Sequence, residues 1–229
     1  MKAILLAAGF GTRLRPLTLS TPKCLVEIKG KPLLKYWFEN LTRAGINEIF
    51  INTHYLSQKV DNYILNSEYR KNVKIVYEKI LLGTSKTIIT NLNYFLKDDL
   101  IVIHSDNFCK QELKELIKAH NTRPKNCLMT MLVFRTDNPS SCGIVELDSD
   151  NIVTSFHEKK INPPGNLANA AVYIFSNTML EELNNNYNNC IDLSTEVLPN
   201  FLNRIYTYET NEAYIDIGTP DNYIKANEL

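Results

Sequence analysis

Lys2-Ala3-Ile4-Leu5-Leu6-Ala7-Ala8-Gly9-Phe10-Gly11-Thr12-Arg13-Leu14 opens the chain and decides its fold class. Lys2–Ala8 reads as a strand, and its unbroken apolar run is the pattern of one buried on both faces of a parallel sheet. A glycine-rich turn follows at once. At the carboxyl end of a parallel strand, such a turn is where open α/β sheets bind ligands. Glycine lets backbone N–H groups approach anionic oxygens there. The chain has only 8 glycines, so two in this turn carry weight. A dinucleotide-binding fingerprint would need a third glycine where Leu14 stands, which disfavours an NAD-linked oxidoreductase. The Walker pattern fails too, because no Gly-Lys-Ser/Thr follows.

Outward from this stretch, strand and helix signals alternate. Leu34, Trp37, Phe38 and Leu41 recur at helical spacing over Leu33–Ala44, and Gly45 stops that helix. Glu48–Thr53, Val73–Tyr77, Leu100–His104 and Cys127–Phe134 read as strands. Leu56–Leu65, Thr84–Leu96 and Leu113–His120 read as the helices between them. This alternation predicts an α/β, Rossmann-like, mixed but mainly parallel sheet with helices on both faces. The rhythm then changes. Gly143–Leu147 and Ile152–Phe156 form a hairpin around Asp148–Asn151, and Ala170–Phe175 is a further strand. Helices are expected near Met179–Asn184 and Thr195–Asn203, short strands at Ile205–Tyr208 and Ala213–Ile217, and a last helix from Pro220. No Pro/Gly/Ser linker separates the halves. A single domain over residues 1–229 is expected, with the regular alternation in its first half (1–135) and the changed rhythm in its second (136–229).

Composition excludes several classes. Apolar residues make up 44% of the 229, too many for a disordered chain. The 25 basic and 25 acidic residues balance, which argues against nucleic acid as partner. No apolar run approaches the roughly 18 residues of a membrane span, and Ala3–Ala8 is too short for a signal-peptide core. A cytoplasmic location, with no membrane partner, is expected. The five cysteines are scattered without a CxxC pair, as small core residues are. Charge is nonetheless uneven locally. The first 26 residues hold Lys2, Arg13, Arg15 and Lys23 and no acid. Three of those cations follow the strand, and arginine offers a fork that matches phosphate. An anionic ligand is expected at this loop, the alternative being a solvated surface loop.

Gly9-Phe10-Gly11-Thr12-Arg13-Leu14-Arg15-Pro16-Leu17-Thr18, followed by Thr21-Pro22-Lys23-Cys24-Leu25-Val26, resembles the signature of sugar-1-phosphate nucleotidylyltransferases. Leu82-Gly83-Thr84, Ser105-Asp106, Phe156-His157-Glu158-Lys159 and Asp216 with Gly218-Thr219-Pro220 continue the match along the chain. The resemblance implies transfer of a nucleoside monophosphate from an NTP to a sugar 1-phosphate, giving an NDP-sugar and pyrophosphate. It implies Arg13, Lys23 and Asp106 as the catalytic set, and Asp106 with Asp216 as ligands of a Mg²⁺ cofactor. Leu6, Ala7, Ala8, Gly9, Gly11 and Thr12 would hold the nucleotide, with Glu78, Gly83 and Thr84. Gly143, Glu158, Lys159 and Asn169 would hold the sugar phosphate, so the resemblance implies a nucleotide-binding half (1–135) and a sugar-phosphate-binding half (136–229). Ser105 stands where the family often has glycine. Ser85-Lys86 stands for its usual Ala-Gly, and Lys160 for a common proline.

A glutamate at Glu78 can accept from both N1–H and N2–H of guanine, which favours GTP. The rival reading has Glu78 as a charged strand end facing solvent, with backbone groups alone selecting the base. Within the family the motif resembles the mannose-1-phosphate and heptose-1-phosphate guanylyltransferases. Cytidylyl or uridylyl transfer, and a non-catalytic nucleotide-sugar-binding regulatory subunit, are the alternatives. The chain ends at Leu229 soon after the Asp216 motif, so a stand-alone transferase is expected, as monomer or homodimer. His54, His104, His120 and His157 are expected to be structural. Covalent catalysis is not indicated, because the sugar phosphate is itself the nucleophile.

Overall fold

The computed structural model describes residues 1–229. In chain order its elements are β1 (Lys2–Leu6), β2 (Glu27–Ile28), β3 (Lys31–Pro32), α1 (Leu33–Arg43), β4 (Ile49–Thr53), α2 (Ser57–Leu65), β5 (Val73–Tyr77), α3 (Thr84–Thr90), β6 (Leu100–His104), β7 (Asn107–Cys109), α4 (Leu113–Asn121), β8 (Met129–Arg135), β9 (Gly143–Leu147), β10 (Val153–Glu158), β11 (Leu167–Phe175), α5 (Asn177–Asn186), β12 (Ile205–Glu209), β13 (Tyr214–Asp216) and α6 (Pro220–Glu228). The fold is α/β, with helices around a mixed sheet. No helix is long and apolar enough to cross a membrane.

Two compact units share the chain. One comprises Met1–Leu81, Ile103–Leu113 and Glu212–Leu229. The other comprises Leu82–Val102 and Lys114–Asn211.

In the first unit the strands β1, β4 and β5 lie side by side in that order. β1, β4 and β5 are parallel, with Leu5 opposite Ile51 and Ile51 opposite Ile75. Ala3, Ile4 and Leu5 are buried, as continuous apolar strands of parallel sheets are. The face of α1 predicted by periodicity is the buried one: Leu33, Leu34, Trp37, Phe38 and Leu41. The Trp37 indole donates to the Asn107 carbonyl at 3.0 Å, so the largest side chain of this core also satisfies its one polar group. A second apolar cluster joins Leu14, Val26, Ile28, Leu33, Phe108, Ile217 and Ala226. Its members flank the glycine-rich loop, β7 and β13, and they fix where those segments present their charges.

In the second unit β11 pairs antiparallel with β8 and β9, β9 pairs with β10, and β12 adds parallel to β8. The β9–β10 hairpin turns on Asp148, whose Oδ1 accepts from the Asp150 and Ile152 N–H groups at 2.9 Å each. The Ser176 side chain caps α5 by accepting from the Met179 N–H.

Several boundaries differ from expectation. The helix expected over Thr84–Leu96 stops at Thr90, where Asn91 folds its amide back onto the Thr87 carbonyl and a short 3-10 turn follows. The helix expected over Thr195–Asn203 is a single π-helical turn (Leu193–Val197) running into a 3-10 turn (Leu198–Phe201). Pro199 lacks the N–H that a continuous α-helix would use. β2, β3 and β7 carry no periodic signal at two or three residues and were not expected.

Candidate active site

The first unit assembles its charged residues from three distant parts of the chain. Gly11 takes the left-handed conformation, φ 62°, and its carbonyl accepts from the Thr18 hydroxyl at 2.7 Å. A side chain at Gly11 would begin 3.0 Å from Thr18 Cγ2 and 3.3 Å from Lys23 Cβ. Glycine is therefore required for conformation and for space. The turn Thr12–Leu14 buries Leu14 in the apolar cluster and leaves Arg13 on the open side.

β7 and β13 pair antiparallel, with Asp216 opposite Asn107. That register brings Asp216 beside Asp106, and Lys23 lies between them. Its ammonium donates to Asp106 Oδ2 at 2.7 Å and to Asp216 Oδ1 at 3.1 Å. The Gly218 N–H also donates to Asp216 Oδ1, at 2.8 Å. Arg13 Nη2 lies 3.4 Å from Asp216 Oδ2. Lys23 is 8% exposed, while the Asp106 and Asp216 side chains are 39% and 41% exposed. Burial works against the charged form of Asp106, but the Lys23 ammonium, with His104 nearby, outweighs it and holds the carboxyl below its ordinary range. Ser105 is buried and donates from its hydroxyl to the Leu6 carbonyl at 2.8 Å, tying the end of β6 to the end of β1.

A second polar cluster lies at the ends of β1, β4 and β5. Asn52 Oδ1 accepts from the Ala7 N–H at 2.8 Å, and Asn52 Nδ2 donates to Glu78 Oε1 at 2.8 Å. Both side chains are 4% exposed. The reading of Glu78 as a solvent-facing strand end is thus incorrect. His54 Nδ1 meets the Glu78 carbonyl at 2.8 Å, which fixes the backbone of Glu78 as well. Ala8 is buried beside this cluster, whereas Gly9 is exposed with open space around it.

The second unit holds the remaining candidates. Gly143 is packed closely: a side chain there would begin 2.6 Å from Glu158 Oε2 and 2.7 Å from the Phe156 ring. Lys159, at φ 46°, places its ammonium 3.3 Å from Glu158 Oε1. Asn169 sits where β11 shifts register against β8. Its Oδ1 accepts from the Ala171 N–H at 2.9 Å and its Nδ2 donates to the Tyr173 hydroxyl at 2.7 Å. Asn169 therefore bridges an irregularity of its own strand. Gly83, φ 92°, precedes α3 and leaves no room for a side chain against Ile191. The Thr84 hydroxyl accepts from the Leu193 N–H at 2.8 Å.

Arg13, Lys23, Asp106 and Asp216 are thus brought together in one unit, and Gly143, Glu158 and Lys159 in the other. Sequence reasoning missed Asn52, the first polar residue after the apolar run Ile49-Phe50-Ile51, and that polarity was the available signal. It also quoted Gly218 without a role. A side chain at Gly218 would begin 2.8 Å from Arg13 Nη2 and 2.9 Å from Asp216 Oδ1. His157 pairs with Glu146 at 2.8 Å on the surface of the hairpin, a structural role. All five cysteines are free, and burial pushes the Cys24 thiol up to about 12, so it is a poor nucleophile at neutral pH.

Known proteins resemble this chain along nearly all of its length. The nucleotidyl transferase family profile matches residues 2–229. The mannose-1-phosphate guanylyltransferase catalytic subunit beta of Dictyostelium discoideum is 30% identical over 235 residues, covering 100% of this chain and 64% of the relative. The mannose-1-phosphate guanyltransferase 2 of Candida glabrata is 29% identical over 237 residues, again covering 100% and 64%. The chain spans less than two thirds of the length of these relatives. Among solved structures, HddC from Yersinia pseudotuberculosis superposes with a TM-score of 0.82 at 26% identity, covering 99% of this chain and 98% of that one. The same protein has been solved complexed with GMP-PN. A Bacillus anthracis structure with a TM-score of 0.87 at 20% identity shares the fold. With its strand-end cations, its paired aspartates and a profile match from Lys2 to Leu229, this chain belongs to the nucleotidyl transferase family.

Proposed function

We propose that the protein transfers a nucleoside monophosphate from an NTP, GTP by preference, to a sugar 1-phosphate and releases pyrophosphate. The observation that carries this reading is the convergence of Arg13, Lys23, Asp106 and Asp216 next to the Gly9–Thr12 loop. An oxygen of the sugar phosphate attacks the α-phosphorus. The new P–O bond forms as the bond to the β-phosphate oxygen breaks, and pyrophosphate leaves with the electron pair. Two anions must approach each other, so the barrier is largely electrostatic. Arg13 supplies a fixed positive fork to the triphosphate, and Lys23 a mobile point charge. The Gly11 turn offers backbone N–H groups to phosphate oxygens. In the second unit Lys159 pairs the sugar phosphate, and Glu158, in the space cleared by Gly143, accepts from sugar hydroxyls.

Asp106 and Asp216 fit a Mg²⁺ site. Their oxygens already converge on one cation, Lys23, and no third His, Cys, Asp or Glu joins them. Mg²⁺ favours such a site, with one or two carboxylates and substrate phosphates completing its shell. When bound there it would neutralise phosphate charge and orient the triphosphate.

The preference for GTP is supported by the guanylyltransferase relatives and by the burial of Glu78. Asn52 holds that carboxylate in place, and a buried carboxylate paired with the wrong base is left short of donors. The test is to incubate the protein with each of the four NTPs, Mg²⁺ and a panel of sugar 1-phosphates, and to measure pyrophosphate. Release only with GTP and a sugar 1-phosphate supports the proposal. Preference for CTP or UTP removes the guanylyl assignment, and no release with any pair removes the transferase.

A further inference from the structure

The two carboxylates read here as metal ligands already share a cation of the protein's own. Lys23 Nζ lies within hydrogen-bond distance of both, at 2.7 and 3.1 Å, and Arg13 Nη2 approaches Asp216 Oδ2 at 3.4 Å. Two negative charges face two positive charges, so the cluster is neutral. Charge-assisted contacts of this length are strong when partly buried, and Lys23 is the most buried member. A divalent ion that takes oxygens from both aspartates competes for the position the ammonium holds.

Lys23 is suited to leaving that position. A lysine is a compact point charge on a flexible four-carbon stem, unlike the planar fork of arginine. Its stem is rooted beside the glycine-rich turn: Lys23 Cβ lies 3.3 Å from where a Gly11 side chain would begin. The head thus lies on the carboxylates and the base lies beside the loop proposed for the triphosphate. A triphosphate at that loop offers the ammonium a stronger anion than either aspartate.

We infer that Lys23 is an exchangeable internal cation: it keeps Asp106 and Asp216 neutralised until a nucleotide draws it away, so that nucleotide and divalent metal load together. The inference rests on the reading of Asp106 and Asp216 as the metal ligands. Linkage makes the coupling reciprocal, so whatever factor the nucleotide gives the metal, the metal returns to the nucleotide.

The test uses Mn²⁺ as probe, with bound and free ion distinguished by electron paramagnetic resonance. Wild type, Lys23→Met, Lys23→Gln and Lys23→Arg are titrated with and without a non-hydrolysable GTP analogue, with circular dichroism as a check of folding. Either neutral variant suffices if the other does not fold. Without nucleotide, the neutral variants are expected to bind Mn²⁺ at least about tenfold more tightly than wild type. Lys23→Arg, which keeps the charge, is expected to stay near wild type. Adding Asp106→Asn to a neutral variant should erase the gain. If wild type forms a ternary complex with Mn²⁺ and nucleotide but the neutral variants bind Mn²⁺ no better than wild type without nucleotide, the exchange is wrong and the metal reading stands. If wild type adds nothing to the Mn²⁺ affinity of the nucleotide itself, the metal reading falls and the exchange falls with it.

Discussion

Each unit uses a glycine to make room for charged side chains, but the two charge clusters are built differently. Gly218 lets Arg13 and Asp216 approach, and Gly143 does the same for Glu158. In the first unit the partners are 83 to 203 residues apart in sequence, and one lysine is shared by two carboxylates. In the second unit Glu158 and Lys159 are chain neighbours, and the Lys159 ammonium is mostly exposed. The first cluster is interlocked, so a change in one member is transmitted to the others. The second is local, and its members act more independently. On the proposed function the first meets charge that develops in the transition state, and the second meets a phosphate whose charge changes little.

The largest expected effect breaks the interlocked cluster. Asp106→Asn and Asp216→Asn should each lower turnover by roughly 10²–10³-fold or more, because each also frees Lys23 from its site. Steady-state rates across a Mg²⁺ titration measure this. Near wild-type turnover at limiting Mg²⁺ in either variant would refute the metal assignment.

Next comes the contrast between the two cations. Arg13→Ala should chiefly lower kcat, by roughly 10²-fold, whereas Lys159→Ala should chiefly raise KM for the sugar phosphate, by about tenfold. The reverse pattern would show that the two clusters have exchanged roles.

The glycines sharpen the comparison. Gly218→Ala sets a methyl group against Arg13 and Asp216 and should cost roughly ten- to hundredfold in kcat, since small misplacements of a fixed cation are expensive. Gly143→Ala sets a methyl group against Glu158 Oε2 and the Phe156 ring and should raise KM for the sugar phosphate by only about tenfold, because Glu158 is proposed to bind sugar hydroxyls, away from the reacting phosphorus. Equal effects of the two substitutions would mean that the second cluster is as tightly coupled as the first.

On the proposed function, the Asn52–Glu78 cluster predicts a change in selectivity. Glu78→Gln and Asn52→Asp should both erode GTP preference by about tenfold, measured as kcat/KM for GTP against UTP and CTP. Asn52→Asp replaces the amide donor with a second carboxylate against Glu78. An unchanged ratio in both variants would leave base selection to the backbone of Leu6–Gly9.

The smallest expected effect is on acid stability, in the second unit. His120 is fully buried, 3.5 Å from Asp99 and 2.9 Å from the Thr130 hydroxyl. Burial lowers its pKa, and Asp99 only partly opposes this. The unfolded chain therefore takes up a proton near pH 6.5 that folded His120 accepts only at lower pH. Stability is full above pH 6.5 and declines as pH falls below it. The Asp99 pKa, lowered chiefly by the His120 imidazole 3.5 Å away, extends the decline below its own ordinary range near 4. His120→Gln should flatten the dependence of Tm on pH between about 6.5 and 5. A slope equal to wild type would assign the acid lability to other groups.

Much of the fold was legible because long periodic segments report their own burial. Ala3–Leu5 and Leu100–Val102 are apolar without interruption, and both are buried. α1 could be read from four apolar positions, because only a 3.6-residue period puts them on one face. Short elements carry no such period. β7, of three residues, was not expected, and the strand expected at Ala213–Ile217 carried no sign of its partner, yet the pairing of β7 with β13 sets Asp216 beside Asp106. The break of α3 at Asn91 and the irregular turn at Pro199 depended on local competition for backbone hydrogen bonds, which periodicity does not record.

The sequence by itself determined the α/β alternation, the glycine-rich turn after β1 and the excess of cations in that turn. Each of these is a property of neighbouring residues. Only the tertiary structure decided that Lys23 bridges Asp106 and Asp216, that Asn52 links Ala7 to Glu78, and that Asn169 is tied into its own strand. The physical reason is that hydrogen bonds and ion pairs depend on distances of about 3 Å in space. Bringing residues from far along the chain to that distance is the work of buried apolar clusters such as Leu14, Phe108 and Ile217, whose packing no single stretch of sequence contains.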